Sequence, residues 1–310
     1  MDPLSAFIEK QGFVVLDGAL ATELERKGLN LNDPLWSAKA LYEHPDLVFQ
    51  THLDYFTAGA DVATTASYQA TLDGFFKKGF SQNEAIALLQ KSVELALAAR
   101  ETFWADRQNR QGRLRPLVAA SIGPYGAYLA DGSEYSGNYG LPDARLLEFH
   151  ATRLEVLAAS QADILAFETV PCLQEAAVLM ELLARFPQKK AWLGFSCKNG
   201  RQISSGEPFA AAVRLASLSG QIAAVGANCT APEFVSELLG IARSITQKPL
   251  LAYPNSGEKW DAAQHRWAGD NKPACWFGEA KNWLKTGAKL IGGCCRSTPG
   301  DIRELRKLLA

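Results

Sequence analysis

Little in this sequence would carry the chain to a nucleic acid or into a membrane. Lys+Arg total 32 against Asp+Glu 33, a formal net charge of -1. No block of either sign stands out, so neither a polyanion nor an anionic lipid surface is an expected partner. No run approaches the ~18 apolar residues of a membrane span. The opening Met1-Asp2-Pro3-Leu4-Ser5-Ala6 lacks the basic region and apolar stretch of a secretory signal, and a cytoplasmic location is expected. Histidine is scarce: His44, His52, His150 and His265 show no ligand spacing and are read as structural. No G-x-G-x-x-G follows the first strand-like run, which speaks against a dinucleotide-binding open sheet. Linkers, low-complexity runs and strong repeats are also missing, so one domain is expected.

What is present is a regular alternation. Short apolar runs at 12–18, 61–68, 116–124, 163–169, 191–196, 223–229, 249–255 and 289–296 read as strands. Amphipathic or helix-forming segments separate them, among them 43–58, 81–104 and 143–159, with a Gly- and Tyr-rich loop over 125–141. Continuously apolar strands that alternate with helices mean a parallel sheet covered on its outer face. Eight such units in 310 residues, 47% of them apolar, predict a (β/α)8 barrel. In that fold the chemistry sits at the C-terminal strand ends. Those ends carry Asp17, Tyr68, Glu168, Cys229, Asn255, Cys294 and Cys295.

The six cysteines do not read as a disulfide framework, because thiols in the cytosol stay reduced. Three of them share a context. Lys289-Leu290-Ile291-Gly292-Gly293-Cys294-Cys295-Arg296 is a strand running into two glycines and two thiols, with Ser297 or Thr298 as a helix cap and Pro299 in the first turn. The sixth strand also ends in a thiol, Cys229. In a barrel, strands six and eight have only one strand between them, roughly 10 Å between their axes. Inward-leaning cysteines from both strand ends meet on one Zn²⁺, and three protein ligands leave the fourth position open, as in a catalytic site. Buried reduced cysteine is the plainer alternative, and a strained vicinal disulfide a further one. Cys172, Cys197 and Cys275 lack such company and are read as core or surface residues.

Several motifs, in order along the chain, resemble the zinc-dependent homocysteine S-methyltransferase family, most closely its stand-alone S-methylmethionine-using members. They are Asp17-Gly18-Ala19 with Thr22-Glu23-Leu24, Ser121-Ile122-Gly123-Pro124-Tyr125-Gly126, Asp131-Gly132-Ser133-Glu134-Tyr135, Phe167-Glu168-Thr169, Asn228-Cys229 and Gly292-Gly293-Cys294-Cys295-Arg296. The resemblance implies one homocysteine-binding barrel domain over 1–310, with Cys229, Cys294 and Cys295 as zinc ligands. It implies that Glu168 holds the homocysteine ammonium and that Asp17 and Gly18 seat the amino acid. Read as residues alone, Asp17 serves equally as a turn or cap acid, and Glu168 as half of a rim salt bridge.

For the methyl donor, Trp36, Tyr68, Tyr125 and Tyr128 are the aromatic candidates, since a ring face attracts a cation by about 0.5–2 kcal/mol. The expected donor is S-methylmethionine, with S-adenosylmethionine a poorer substitute. With Ala310 as the last residue read, neither cobalamin or folate domains nor a betaine-type extension is expected. The expected partners are therefore small molecules only, in a monomer or weak oligomer. A zinc hydrolase on the same barrel and a non-enzymatic thiol or metal sensor are the alternatives. The first prefers His and carboxylate ligands, and the second needs neither an open coordination position nor Glu168.

Overall fold

The computed structural model describes residues 2–33, 35–257, 259–261, 266–268 and 275–310. Eight parallel strands form the sheet: β1 (Val14–Val15), β2 (Val62–Thr64), β3 (Leu117–Ile122), β4 (Ile164–Val170), β5 (Ala191–Phe195), β6 (Ile222–Asn228), β7 (Leu250–Tyr253) and β8 (Ala288–Ile291). Neighbours run β1-β8-β7-β6-β5-β4-β3-β2. A bridge from Leu16 to Val62, with the Asp61 amide donating to the Val15 carbonyl at 2.7 Å, brings the edges together. The chain is thus a (β/α)8 barrel, as its alternation predicts. A short antiparallel pair, Lys259–Asp261 with Arg266–Ala268, follows β7 outside the barrel. His265 and the side chain of Cys275 lie outside the described residues.

Strand periodicity sorts the side chains. Val14, Leu16, Ile164, Ala166, Ala224 and Leu290 point into the barrel, where Trp192 fills the centre. Their neighbours Val15, Leu165, Phe167, Val225 and Ile291 face the helices. Side chains alternate strictly along a strand, so Glu168 shares the inward parity of Ile164 and Ala166 and emerges at the barrel mouth.

The helices form where the sequence places them. Ser81 caps Gln82–Ala105 in a capping box with Glu84, and Thr298 caps Pro299–Leu309 in a second one with Asp301. The helices Pro45–Ala58 and Asp143–Ala159 match the expected 43–58 and 143–159 closely. The expected loop over 125–141 instead contains a helical turn, Tyr125–Leu129, and a 3-10 turn, Ser133–Tyr135. No described helix is long and apolar enough to cross a membrane.

Candidate metal centre and substrate cavity

One cavity of about 920 Å³ opens at the C-terminal mouth of the barrel, and Cys229, Cys294 and Cys295 form part of its wall. Their sulfur atoms all lie within 4.8 Å of one another. Cys229 Sγ is 3.4 Å from Cys295 Sγ, and the Tyr135 hydroxyl is 3.2 Å from Cys229 Sγ. The strand order explains the convergence, since only β7 separates β6 from β8.

Backbone hydrogen bonds fix the loop that carries the vicinal pair. Gly293 N–H donates to the Asp17 carbonyl at 3.0 Å, and Cys294 N–H to the Pro254 carbonyl at 2.8 Å. Ser256 N–H donates to the Cys295 carbonyl at 3.2 Å, and Arg296 N–H to Thr22 Oγ1 at 3.1 Å. Gly292 permits this close approach, because a Cβ there would lie 2.5 Å from Leu16 Cβ.

Cys229 itself has φ 46°, in the left-handed region, and Thr169 at the end of β4 has φ 61°. Non-glycine residues held there cost roughly 1–3 kcal/mol each and persist where their surroundings over-determine them. Asn228 supplies much of that constraint. Its Oδ1 accepts from Thr169 N–H at 2.7 Å and its Nδ2 donates to Thr169 Oγ1 at 2.9 Å, tying the end of β4 to the end of β6.

The donor set suits a soft divalent cation. The Cys229 thiol lies well below the ordinary range, chiefly because the Cys294 and Cys295 thiols hydrogen-bond to its sulfur. Cys294 and Cys295 are pushed well above it, chiefly by the same contacts to Cys229. Such a cluster accepts one negative charge readily and further ones only against repulsion. Three sulfurs converging beside open cavity space form a donor set that fits a thiophilic metal ion such as zinc.

Glu168 is 9% exposed and rooted in the barrel core. Ser121 Oγ donates to its Oε1. Tyr253 donates to its Oε2 at 3.2 Å, and Trp192 Nε1 donates to Tyr253 at 3.0 Å. Burial pushes the Glu168 carboxyl up to about 7. Asp17, 4% exposed, accepts from Thr64 N–H at 2.7 Å and from Thr64 Oγ1, and burial raises it well above the usual carboxylate range. Among the described residues, neither acid has an ion-pair partner in the cavity and no Lys, Arg or His lines its wall. Gly18 also lines the cavity, and its lack of a side chain has a packing reason: a Cβ would come within 2.8 Å of Ser297 Oγ and 2.9 Å of the Tyr55 hydroxyl.

The sequence model of the homocysteine S-methyltransferase family matches residues 14–309. The chain belongs to that family. Among similar proteins, the Bacillus subtilis homocysteine S-methyltransferase YbgG is 49% identical over 98% of this chain and 97% of its own. A selenocysteine Se-methyltransferase from Brassica oleracea is 45% identical over 97% of this chain and 90% of its own. The crystal structure of the Escherichia coli homocysteine methyltransferase MmuM in its metallated form superposes with a TM-score of 0.88. It is 44% identical and covers 99% of both chains.

As a homocysteine S-methyltransferase, the chain is a methyltransferase enzyme acting on small molecules, which sets aside the hydrolase and sensor readings. Of the aromatic candidates for the methyl-donor side, Trp36 and Tyr68 line the thiol-bearing cavity, with ring centroids 6.5 Å apart at 69°. Tyr125 and Tyr128 do not. The turn Tyr125–Leu129 directs them to a separate cavity of about 400 Å³, where they pack on Phe149. Their place in the Gly- and Tyr-rich segment was visible in the sequence, but the way that segment coils was not. Asn255 is buried and accepts from Gly257 N–H rather than lining the cavity.

The cavity residues that escaped the reading of strand ends include Thr64, Glu134, Tyr135 and Tyr253. Glu134 and Tyr135 belong to a motif quoted for the resemblance, and that was the one signal that pointed to them. Burial holds the Glu134 carboxyl at about 7.

Proposed function

We propose that this homocysteine S-methyltransferase moves a methyl group from a cationic sulfonium, S-methylmethionine, to the thiol of L-homocysteine, with S-adenosylmethionine a poorer donor. Cys229, Cys294 and Cys295 are the residues that would hold a single Zn²⁺. The supporting observation is the composition of the cavity wall. Three converging thiols share it with the carboxylates of Asp17, Glu134 and Glu168, and with no basic side chain among the described residues. Such a wall favours ligands that bring positive charge, as a homocysteine ammonium and a sulfonium both do, and disfavours polyanionic donors.

The acceptor problem is one of ionisation. A free thiol has a pKa near ~8.5 and attacks carbon usefully only as thiolate. A Zn²⁺ held by Cys229, Cys294 and Cys295 would supply that ionisation at neutral pH. The remaining work falls to side chains of this chain. Glu168 takes the homocysteine ammonium, and it is oriented for this by Ser121 and Tyr253, which leave its other lone pairs free. Asp17, held by both polar groups of Thr64, adds a second carboxylate on the opposite strand end. With the amino acid fixed at that end, its sulfur is confined to the cysteine side of the cavity. Trp36 and Tyr68 offer ring faces to the donor cation.

Methyl transfer then forms a new S–CH₃ bond on homocysteine as the donor S–CH₃ bond breaks. The bonding pair leaves with the donor sulfur as a neutral thioether. From S-methylmethionine, both products are methionine. Holding two reactants in line is worth several kcal/mol of the barrier. A donor panel on the zinc-loaded enzyme tests the reading: S-methylmethionine should give the highest kcat/KM, S-adenosylmethionine a lower one, and betaine none. Turnover on betaine or methylfolate that matches the sulfonium would overturn it.

A further inference from the structure

Glu134 reaches the cavity from the connection between β3 and the helix Asp143–Ala159 rather than from a strand end. Its main chain is fixed on several sides. Glu175, fully buried, accepts from Tyr125 N–H at 2.6 Å and from the Tyr139 hydroxyl at 3.0 Å, and it pairs with His150 Nε2 at 2.8 Å. That one carboxylate anchors both ends of the segment carrying Glu134. Between the anchors, the backbone of Ser133 and Glu134 lies directly on Gly126, where a Cβ would come within 2.3 Å of Glu134 N. Ser196 Oγ donates to the Glu134 carbonyl at 3.1 Å.

The side chain is the opposite case. Oε2 is closed off from solvent and, among the described residues, has no hydrogen-bond donor and no basic residue in the wall around it; the carboxylate's one hydrogen bond comes from its own backbone N–H. Its titratable neighbours among the described residues are Asp131, Tyr68, Tyr135 and the thiols of Cys229 and Cys295, none of them a cation. A rigidly mounted carboxylate in such a place lacks a cation. The substrates bring cations of two kinds, the α-ammonium groups of homocysteine and of an amino-acid donor, and the donor's sulfonium. An ammonium carries N–H donors and suits Glu168 and Asp17, whose oxygens are already oriented by hydrogen bonds. A sulfonium has no N–H to give and is matched only by uncommitted negative charge and ring faces.

We propose that Glu134 supplies the counter-charge for the donor sulfonium and so restricts the enzyme to cationic methyl donors. The proposal rests on the sulfonium-donor reading given above. It has a distinctive kinetic consequence. The positive charge fades as the methyl group leaves for the thiolate, so a fixed anion stabilises the bound donor more than the transition state. Glu134 therefore governs donor affinity and selectivity rather than the chemical step.

The test uses zinc-loaded wild type, Glu134→Gln and Glu134→Asp. S-Methylmethionine binding is measured by calorimetry without homocysteine, and steady-state kinetics with both substrates. In Glu134→Gln, the donor Kd and KM should rise about tenfold or more. Its kcat should not fall, and homocysteine KM and zinc content should stay at wild-type values. Glu134→Asp, which keeps the charge, should recover most of the donor affinity. A rise in homocysteine KM with donor KM unchanged would reassign Glu134 to the acceptor ammonium, and loss of zinc in the Gln variant would reassign it to the metal centre. Unchanged donor affinity would end the proposal while leaving the sulfonium-donor reading standing. No turnover of S-methylmethionine by wild type would remove that reading itself.

Discussion

Asp61, at the N-terminal end of the barrel, and Glu134, at its C-terminal mouth, are acids in opposite surroundings. Asp61 is fully buried and saturated. Gln11 Nε2 donates to it at 2.7 Å and Val15 N–H at 2.9 Å, and Arg306 pairs with it while Arg113 stands 3.6 Å away. Arg306 also donates to the Gly59 carbonyl, so the C-terminal helix is stitched across the β1–β2 seam. Glu134 has no such set of donors. A buried charge whose partners are all protein groups stabilises one conformation, whereas a charge left uncommitted has its partner still to come. The same division runs through the barrel. Strained backbone at Thr169 and Cys229 and acids without an ion-pair partner among the described residues collect at the mouth, and the ion-paired Asp61 network lies at the base.

The sharpest way to break this comparison is at the thiols. Cys295→Ala should lose bound zinc and methionine formation together, by roughly 10³-fold or more in turnover. Cys197→Ala, a buried thiol outside the cluster, should keep both. Equal loss in the two variants, by metal analysis and activity assay, would remove the ligand assignment.

Asp61→Asn tests the other end. It strands two arginines and should cost about 3–5 kcal/mol in denaturant unfolding, with kcat/KM nearly unchanged in the folded protein. A large kinetic effect with little loss of stability would erase the distinction between base and mouth.

Glu168→Gln should reverse that pattern, raising homocysteine KM by about 10- to 100-fold, the worth of a hydrogen bond to a charge. Its carboxyl is raised to about 7 by burial. Its contribution to stability is therefore complete below the unfolded value of about 4.3 and lost as pH rises through 7. Wild type should lose stability over that window, and Glu168→Gln should lose less. Homocysteine affinity should move the other way in wild type and improve as the carboxyl ionises. A pH profile unchanged by the substitution would refute the role.

The smallest effect on activity belongs to His52, fully buried in the helix Pro45–Ala58 with neither ring nitrogen hydrogen-bonded. Burial lowers it to about 4 from its ordinary 6.5. Stability is thus present above 6.5 and lost as pH falls towards 4, by up to about 3 kcal/mol. Unfolding midpoints across this range should fall less steeply in His52→Leu; parallel curves would place the acid sensitivity elsewhere.

Much of this was legible in the chain. The apolar strands and capped helices carry local signals that survive folding, so the barrel, its strand order and the convergence of Cys229 with Cys294 and Cys295 follow from alternation and position. Glu168 was legible as well, because its parity with Ile164 and Ala166 sends it inward. The segment 125–141 was harder to read. Its turns depend on Glu175 and Gly126, contacts remote from any local pattern, so Tyr125 and Tyr128 were expected at the cavity and Glu134 was passed over.

The sequence by itself determined the periodicities, the caps and the placing of thiols and acids at strand ends, since these depend on neighbours a few residues away. Tertiary structure alone decided which acids found partners. Asp61 meets Arg306 across 245 residues of chain, Asn228 ties Thr169 to the cysteine end across 59, and no basic group among the described residues lines the cavity beside Glu134. Charge compensation inside a protein is a matter of distance in space, and a linear sequence does not display it.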